Sequence, residues 1–161
     1  MEIKIFTTGG TIDKIYFDQK SKFEVGEPAI AEVLAEANVT LSYRCETLLR
    51  KDSLDLTEAD RQRIYAAVAA DDHRHVIITH GTDTMIQTAK KLKPLSRDRV
   101  IVLTGSMMPA KFRSTDAEFN IGGAIIAVQI LPPGVYIVMN GQIFDPDQAR
   151  KNVELNRFET I

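Results

Sequence analysis

Three short stretches carry the side chains that could do chemistry: Thr7-Thr8-Gly9-Gly10-Thr11, Thr79-His80-Gly81-Thr82-Asp83 and Thr104-Gly105-Ser106. Each leaves an apolar run through threonine, passes glycine, and reaches a hydroxyl residue. Glycine makes the turn and frees backbone N–H groups, which can face a developing negative charge. A threonine hydroxyl is a poor nucleophile until a neighbour takes its proton. For any one stretch the plain alternative is a βα turn whose hydroxyl, or Asp83, caps the next helix. Phosphate binding fits less well: neither GxGxxG nor GxxxxGK[ST] occurs, and Asp83 would repel a phosphate.

The elements that must position these residues alternate. Apolar strands are expected at Ile3–Thr7, Val39–Cys45, Val76–Thr79, Val100–Thr104 and Val135–Met139. Helical patterns occupy Pro28–Glu36, Asp55 to about Ala70 with Thr57 and Asp60 as an imperfect capping box, Asp83–Leu92, and Thr115–Gln129. Nearly all-apolar strands between helices point to an α/β fold: a three-layer, doubly wound, mainly parallel sheet of flavodoxin-like type, in one domain. In such a sheet ligands bind at the carboxyl ends of the strands, so the three stretches should converge there. Residues 12–27 are polar and break the rhythm as a hairpin or flap. Asn140-Gly141 is a turn with a short return strand at 142–145, and the tail from Pro146 is only weakly amphipathic.

The chain has 161 residues with 44% hydrophobic and 26% charged residues and a net charge of −2. That balance speaks against nucleic-acid binding. No apolar run approaches membrane-spanning length and no signal-like run opens the chain, so no membrane partner and a cytoplasmic location are expected. Cys45, the single cysteine, has no intrachain partner and is read as a buried strand residue. The Asp71–His75 cluster reads as a solvated helix end, and no metal is implied.

TTGGTID, HGTDTM, Gly105-Ser106-Met107-Met108-Pro109, Asp116–Asn120 (DAEFN) and Asp52-Ser53-Leu54-Asp55-Leu56 together resemble the bacterial type I/II asparaginase–glutaminase family. The resemblance runs from residue 3 to about residue 158. It implies hydrolysis of L-asparagine, and more weakly of glutamine, without a cofactor, in a homo-dimer or homo-tetramer. It implies Thr11 as nucleophile, Thr82 and Asp83 as further catalytic residues, and Lys151 (with Arg150 as rival) as catalytic lysine. It implies substrate contacts from Gly10, Asp52, Ser53, Gly81 and Ser106, and a framework role for His80. Met107 and Met108 are read as packing under the site.

Three departures stand out. The family's flap tyrosine is replaced by Phe23, leaving Tyr16 as the substitute hydroxyl. Leu54 stands where some members have glutamine. The chain matches only the family's N-terminal domain, residues 1–161, so it is expected to lack the smaller C-terminal domain and to hold substrate weakly. A non-catalytic amino-acid-binding module and an amidase-like subunit of an amidotransferase complex are the alternatives.

Overall fold

A computed structural model describes all 161 residues. The strands are β1 (Glu2–Gly9), β2 (Lys14–Phe17), β3 (Lys22–Val25), β4 (Ser42–Lys51), β5 (His75–Thr79), β6 (Val100–Thr104), β7 (Gly134–Met139), β8 (Gln142–Phe144), β9 (Ala149–Asn152) and β10 (Arg157–Thr160). The helices are α1 (Ile30–Glu36), α2 (Glu58–Ala70), α3 (Met85–Leu92) and α4 (Ala117–Ile130).

Six strands form one sheet in the order β4-β1-β5-β6-β7-β8. All its pairs are parallel except β7–β8. Taken in chain order, its five parallel strands run 2-1-3-4-5, the flavodoxin-like arrangement. The sheet is apolar on both faces because alternate residues point to opposite sides. Phe6, Val76, Ile78, Ile101 and Leu103 pack under α2 and α3. Ile3, Ile5, Ile77 and Val102 pack under α1 and α4. The expected three-layer fold is therefore observed.

Several boundaries move for local reasons. The second of the expected strands, β4, runs from Ser42 to Lys51, not from Val39 to Cys45. Asn38, with φ of 52°, turns the chain after α1, and pairing with β1 begins at Glu2↔Ser42. That makes β4 an edge strand, and Cys45 on it is exposed rather than buried. The capping box is present: Asp60 N–H donates to Thr57 Oγ1 at 3.2 Å and Thr57 N–H to Asp60 Oδ2 at 2.9 Å. Helix α3 starts at Met85, so Asp83 does not cap it. Met108 is exposed, whereas Met107 packs against the core.

Residues 14–25 form a hairpin outside the main sheet. The tail is a second hairpin, β9–β10, in which Phe158 lies opposite Lys151. Cross-strand partners share a face. Phe158 is buried beside Phe144, so the apolar ring seats the strand that carries the lysine.

Candidate active site

In a sheet of this order the chain leaves in opposite directions from β1 and β5, and the crevice between their carboxyl ends is where ligands bind. The first two Thr-Gly stretches occupy that crevice. They interlock through glycine. A Cβ built on Gly10 would lie 2.4 Å from Cα and N of Gly81, and one on Gly81 would lie 2.6 Å from Cβ and Oγ of Ser53. The third stretch joins by the same device, since a Cβ on Gly105 would meet the His80 carbonyl at 2.2 Å. Gly10 also has φ of 90°, which side chains rarely adopt.

Threonines of the first and third stretches tie neighbouring strands together. Thr8 Oγ1 donates to the Thr79 carbonyl and Thr104 Oγ1 to the Val138 carbonyl, both at 2.8 Å. Thr11, by contrast, is half-buried at the start of the turn Thr11–Asp13. Thr82 is buried, and its hydroxyl accepts a hydrogen bond from Lys151 Nζ at 2.8 Å. The same ammonium donates to Asp83 Oδ1 at 2.6 Å. Lys151 thus bridges a hydroxyl and a carboxylate from 69 and 68 residues upstream. Arg150, its rival, turns away to Glu159.

Ser53 is buried and its Oγ has no hydrogen-bond partner in the chain. Its carbonyl accepts from Thr84 Oγ1 at 2.8 Å, tying this turn to the HGTDT loop. An unpaired buried hydroxyl is costly and calls for a partner.

Other candidates are placed differently. The Asp52 carboxylate is already in use: Oδ1 accepts from Leu54 N–H at 3.1 Å and Oδ2 pairs with Lys14 Nζ at 2.5 Å. Burial would push its carboxyl up, but the Lys14 and Leu54 hydrogen bonds outweigh this and hold it below the usual range. The Ser106 hydroxyl donates to the Met108 carbonyl within its own loop. The N–H of Gly10 donates to the Lys51 carbonyl at 2.9 Å, so this glycine serves by close approach. Tyr16 stands on the hairpin directly across from Phe23, its ring 5.2 Å away, and is half exposed.

His80 is fully buried between the Gly81 carbonyl, 2.7 Å from Nδ1, and the Thr88 hydroxyl, 2.8 Å from Nε2. Burial pushes its pKa down to about 4, so it is neutral framework at pH 7. The DAEFN stretch shapes the loop after β6. Asp116 accepts from the N–H groups of Met107 and Met108, and Asn120 Nδ2 donates to the Gly105 carbonyl. The other sequence cluster lies at the opposite, amino-terminal edge of the sheet, where His73 pairs with Asp71 and Glu2.

Sequence reasoning passed over Asp13 and Lys14. Asp13 is buried at the foot of the hairpin, its Oδ1 accepting from Ala29 N–H at 2.9 Å and its carbonyl from Gly26 N–H at 2.7 Å. Burial pushes its pKa up to about 7, against the pull of that hydrogen bond and of Arg50. A raised folded pKa means that its contribution to stability is complete below pH 3.8 and is lost as the pH rises through 7. Asp13→Asn keeps the accepting oxygen. It is expected to unfold with a free energy roughly 2–3 kcal/mol higher than the wild type at pH 8, with the difference vanishing below about pH 4, in urea titrations across pH.

The family model described as "Asparaginase, N-terminal" matches residues 2–160. An L-asparaginase from Thermococcus kodakarensis is 31% identical, covering 100% of this chain and 51% of its own length. A glutamyl-tRNA(Gln) amidotransferase component from Methanococcus vannielii is 33% identical, covering 89% of this chain and 35% of its own length. Among solved structures, the thermostable L-asparaginase from Thermococcus kodakarensis superposes with a TM-score of 0.85 at 27% identity, over 100% of this chain and 51% of that one. L-asparaginase I from Vibrio cholerae gives 0.85 at 25% identity, over 99% and 51%. The chain therefore spans about half the length of the asparaginases it matches, and less of the amidotransferase component.

Proposed function

Because the chain belongs to the asparaginase family, we propose that it hydrolyses L-asparagine to L-aspartate and ammonia, with weaker action on glutamine. The observation that carries this reading is the Lys151 ammonium held between the Thr82 hydroxyl and the Asp83 carboxylate, in the crevice where the Thr11 turn packs against Gly81.

In this reading Thr11 Oγ attacks the side-chain amide carbon and forms an ester. The C–N bond breaks, and ammonia leaves carrying the hydroxyl proton. Water then cleaves the ester and restores the hydroxyl. Lys151 and Thr82 form the proton path, Lys151 acting as a base once it has given up a proton. Asp83 faces the substrate α-ammonium and the unpaired Ser53 hydroxyl donates to the α-carboxylate. The N–H groups of Thr11 and Thr82 make no backbone hydrogen bond and are the donors for the oxyanion. Tyr16 supplies the flap hydroxyl from the strand opposite Phe23. No step calls for a cofactor.

A cytoplasmic location and a homo-oligomeric assembly belong to the same proposal. No helix is long and apolar enough to cross a membrane. Helix α4 presents exposed Phe119, Ile126 and Ile130 beside Ile143, along a groove of about 550 Å³. This is the largest concavity, but it holds no converging catalytic groups; an apolar face of this kind suits another copy of the chain.

Ammonia release from asparagine and glutamine by the purified chain tests the reading. We expect turnover of asparagine faster than glutamine, with a Michaelis constant above the low micromolar range, because Asp83 is exposed to solvent. No release from either amide would overturn it. The likeness to an amidotransferase component favours one second reading, an amidase-like partner within a larger complex. Inactivity alone with activity restored by a co-purifying partner would select it.

A further inference from the structure

The flap hairpin β2–β3 is a two-stranded ribbon with no hydrogen-bonded neighbour in the main sheet. Such ribbons are marginal by themselves, so their position is set by what ties them down. Its foot is held by Asp13, and Ala110 N–H donates to the Ile12 carbonyl at 3.0 Å. Phe23 touches Phe112 of the loop after β6, 5.5 Å between ring centres. Glu27, just past β3, takes a bidentate pair from Arg50. These contacts hold the hairpin to the body of the domain. One ion pair joins it to the turn that carries Ser53: Lys14 Nζ on Asp52 Oδ2, at 2.5 Å.

That contact differs from an ordinary surface ion pair. Both side chains are only about a quarter exposed, at 27% and 26%. The carboxylate is fixed from its other oxygen by Leu54 N–H, so the acceptor is already oriented when the lysine arrives. Lys14 lies three residues after Thr11, and Asp52 lies next to Ser53. Ser53 in turn packs on Gly81 and accepts from Thr84. The chain of contacts therefore runs from the flap through Asp52 to the loop of Thr82 and Asp83.

We propose that Lys14 is a positioning residue: its ion pair with Asp52 clamps the flap onto the Ser53 turn and fixes Thr11 relative to Ser53. The kinetic consequence rests on the asparaginase reading; the clamp does not. Asp52 then acts through the turn and not as a substrate ligand.

The test is amide hydrogen exchange over residues 14–25, with asparagine kinetics, on Lys14→Met, Lys14→Arg, Asp52→Asn and the Lys14→Met/Asp52→Asn double variant. Asparagine at position 52 keeps the oxygen that accepts from Leu54 and removes the charge. We expect flap exchange to quicken roughly five- to tenfold in Lys14→Met and Asp52→Asn while β5 and β6 are unchanged. We expect kcat to fall about tenfold with a smaller change in KM, since geometry and not binding is disturbed. The double variant should be no worse than the worse single one, and Lys14→Arg should restore both readouts. Unchanged flap exchange in Lys14→Met, or fully additive effects, would overturn the clamp even with a working enzyme. A clamp that responds as expected in a chain that releases no ammonia would instead sink the asparaginase reading alone.

Discussion

Thr11→Ala is expected to lower ammonia release from asparagine by at least about 10³-fold, because it removes the atom that would bond to the amide carbon. The substitution deletes one half-buried hydroxyl at the head of a short turn and leaves the backbone contacts of Gly10 intact. The unfolding midpoint should therefore stay within the small range of surface changes. Asparagine binding, measured by calorimetry, should persist, since Ser53 and Asp83 remain. Thr11→Ser should keep measurable turnover. A Thr11→Ala protein that still releases ammonia at the wild-type rate would transfer the nucleophile's role elsewhere. Thr82 would be the first candidate, because its hydroxyl already touches the lysine. If the chain only binds its amino acid, the alanine variant and the wild type will be indistinguishable in the same assay.

Gly10→Ala should have the largest effect on stability, a loss of roughly 3–5 kcal/mol in urea unfolding. Two costs combine at this position. The backbone sits at φ 90° and ψ −175°, a region almost reserved for glycine. The added methyl would also sit 2.4 Å from the main chain of Gly81, which has no side-chain rotamer with which to yield. Gly81→Ala offers the informative contrast. Its methyl would press on the side chain of Ser53 at 2.6 Å, and no positive φ adds strain. Its cost should fall more on activity than on stability. Equal stability of Gly10→Ala and the wild type would mean that the two loops do not interlock in solution.

The layered fold was legible because β5 and β6 are unbroken apolar runs bounded by glycine turns, and a strand buried on both faces needs nothing else. The convergence of the Thr-Gly ends followed from topology, since parallel strands deliver their carboxyl ends to one edge. Local signals failed where tertiary contacts decide. β4 was misplaced because an edge strand with one half-solvated face has a weak pattern, and its register is set by β1. The tail hairpin was unreadable because its one strong anchor, Phe158, matters only against Phe144, which another element supplies. Asp52 and Ser106 look in the sequence like free polar groups, yet a lysine and a carbonyl claim them in the folded chain. Lys14 carries no signal in the sequence at all: a charged residue opening a polar hairpin reads as solvated until the partner strand is known.

The lysine that completes the crevice comes from the penultimate strand, long after the hydroxyl turns have been made. During synthesis Thr11 and Thr82 leave the ribosome before Lys151 and its Phe158 anchor. If Thr11 is the nucleophile, a nascent chain of this kind carries it unarmed. Contacts that span 69 residues are also those a folding chain makes late. On the proposed mechanism chemical competence is thus timed to the end of folding, and a chain whose tail hairpin has not formed lacks the lysine that Thr11 and Thr82 would need.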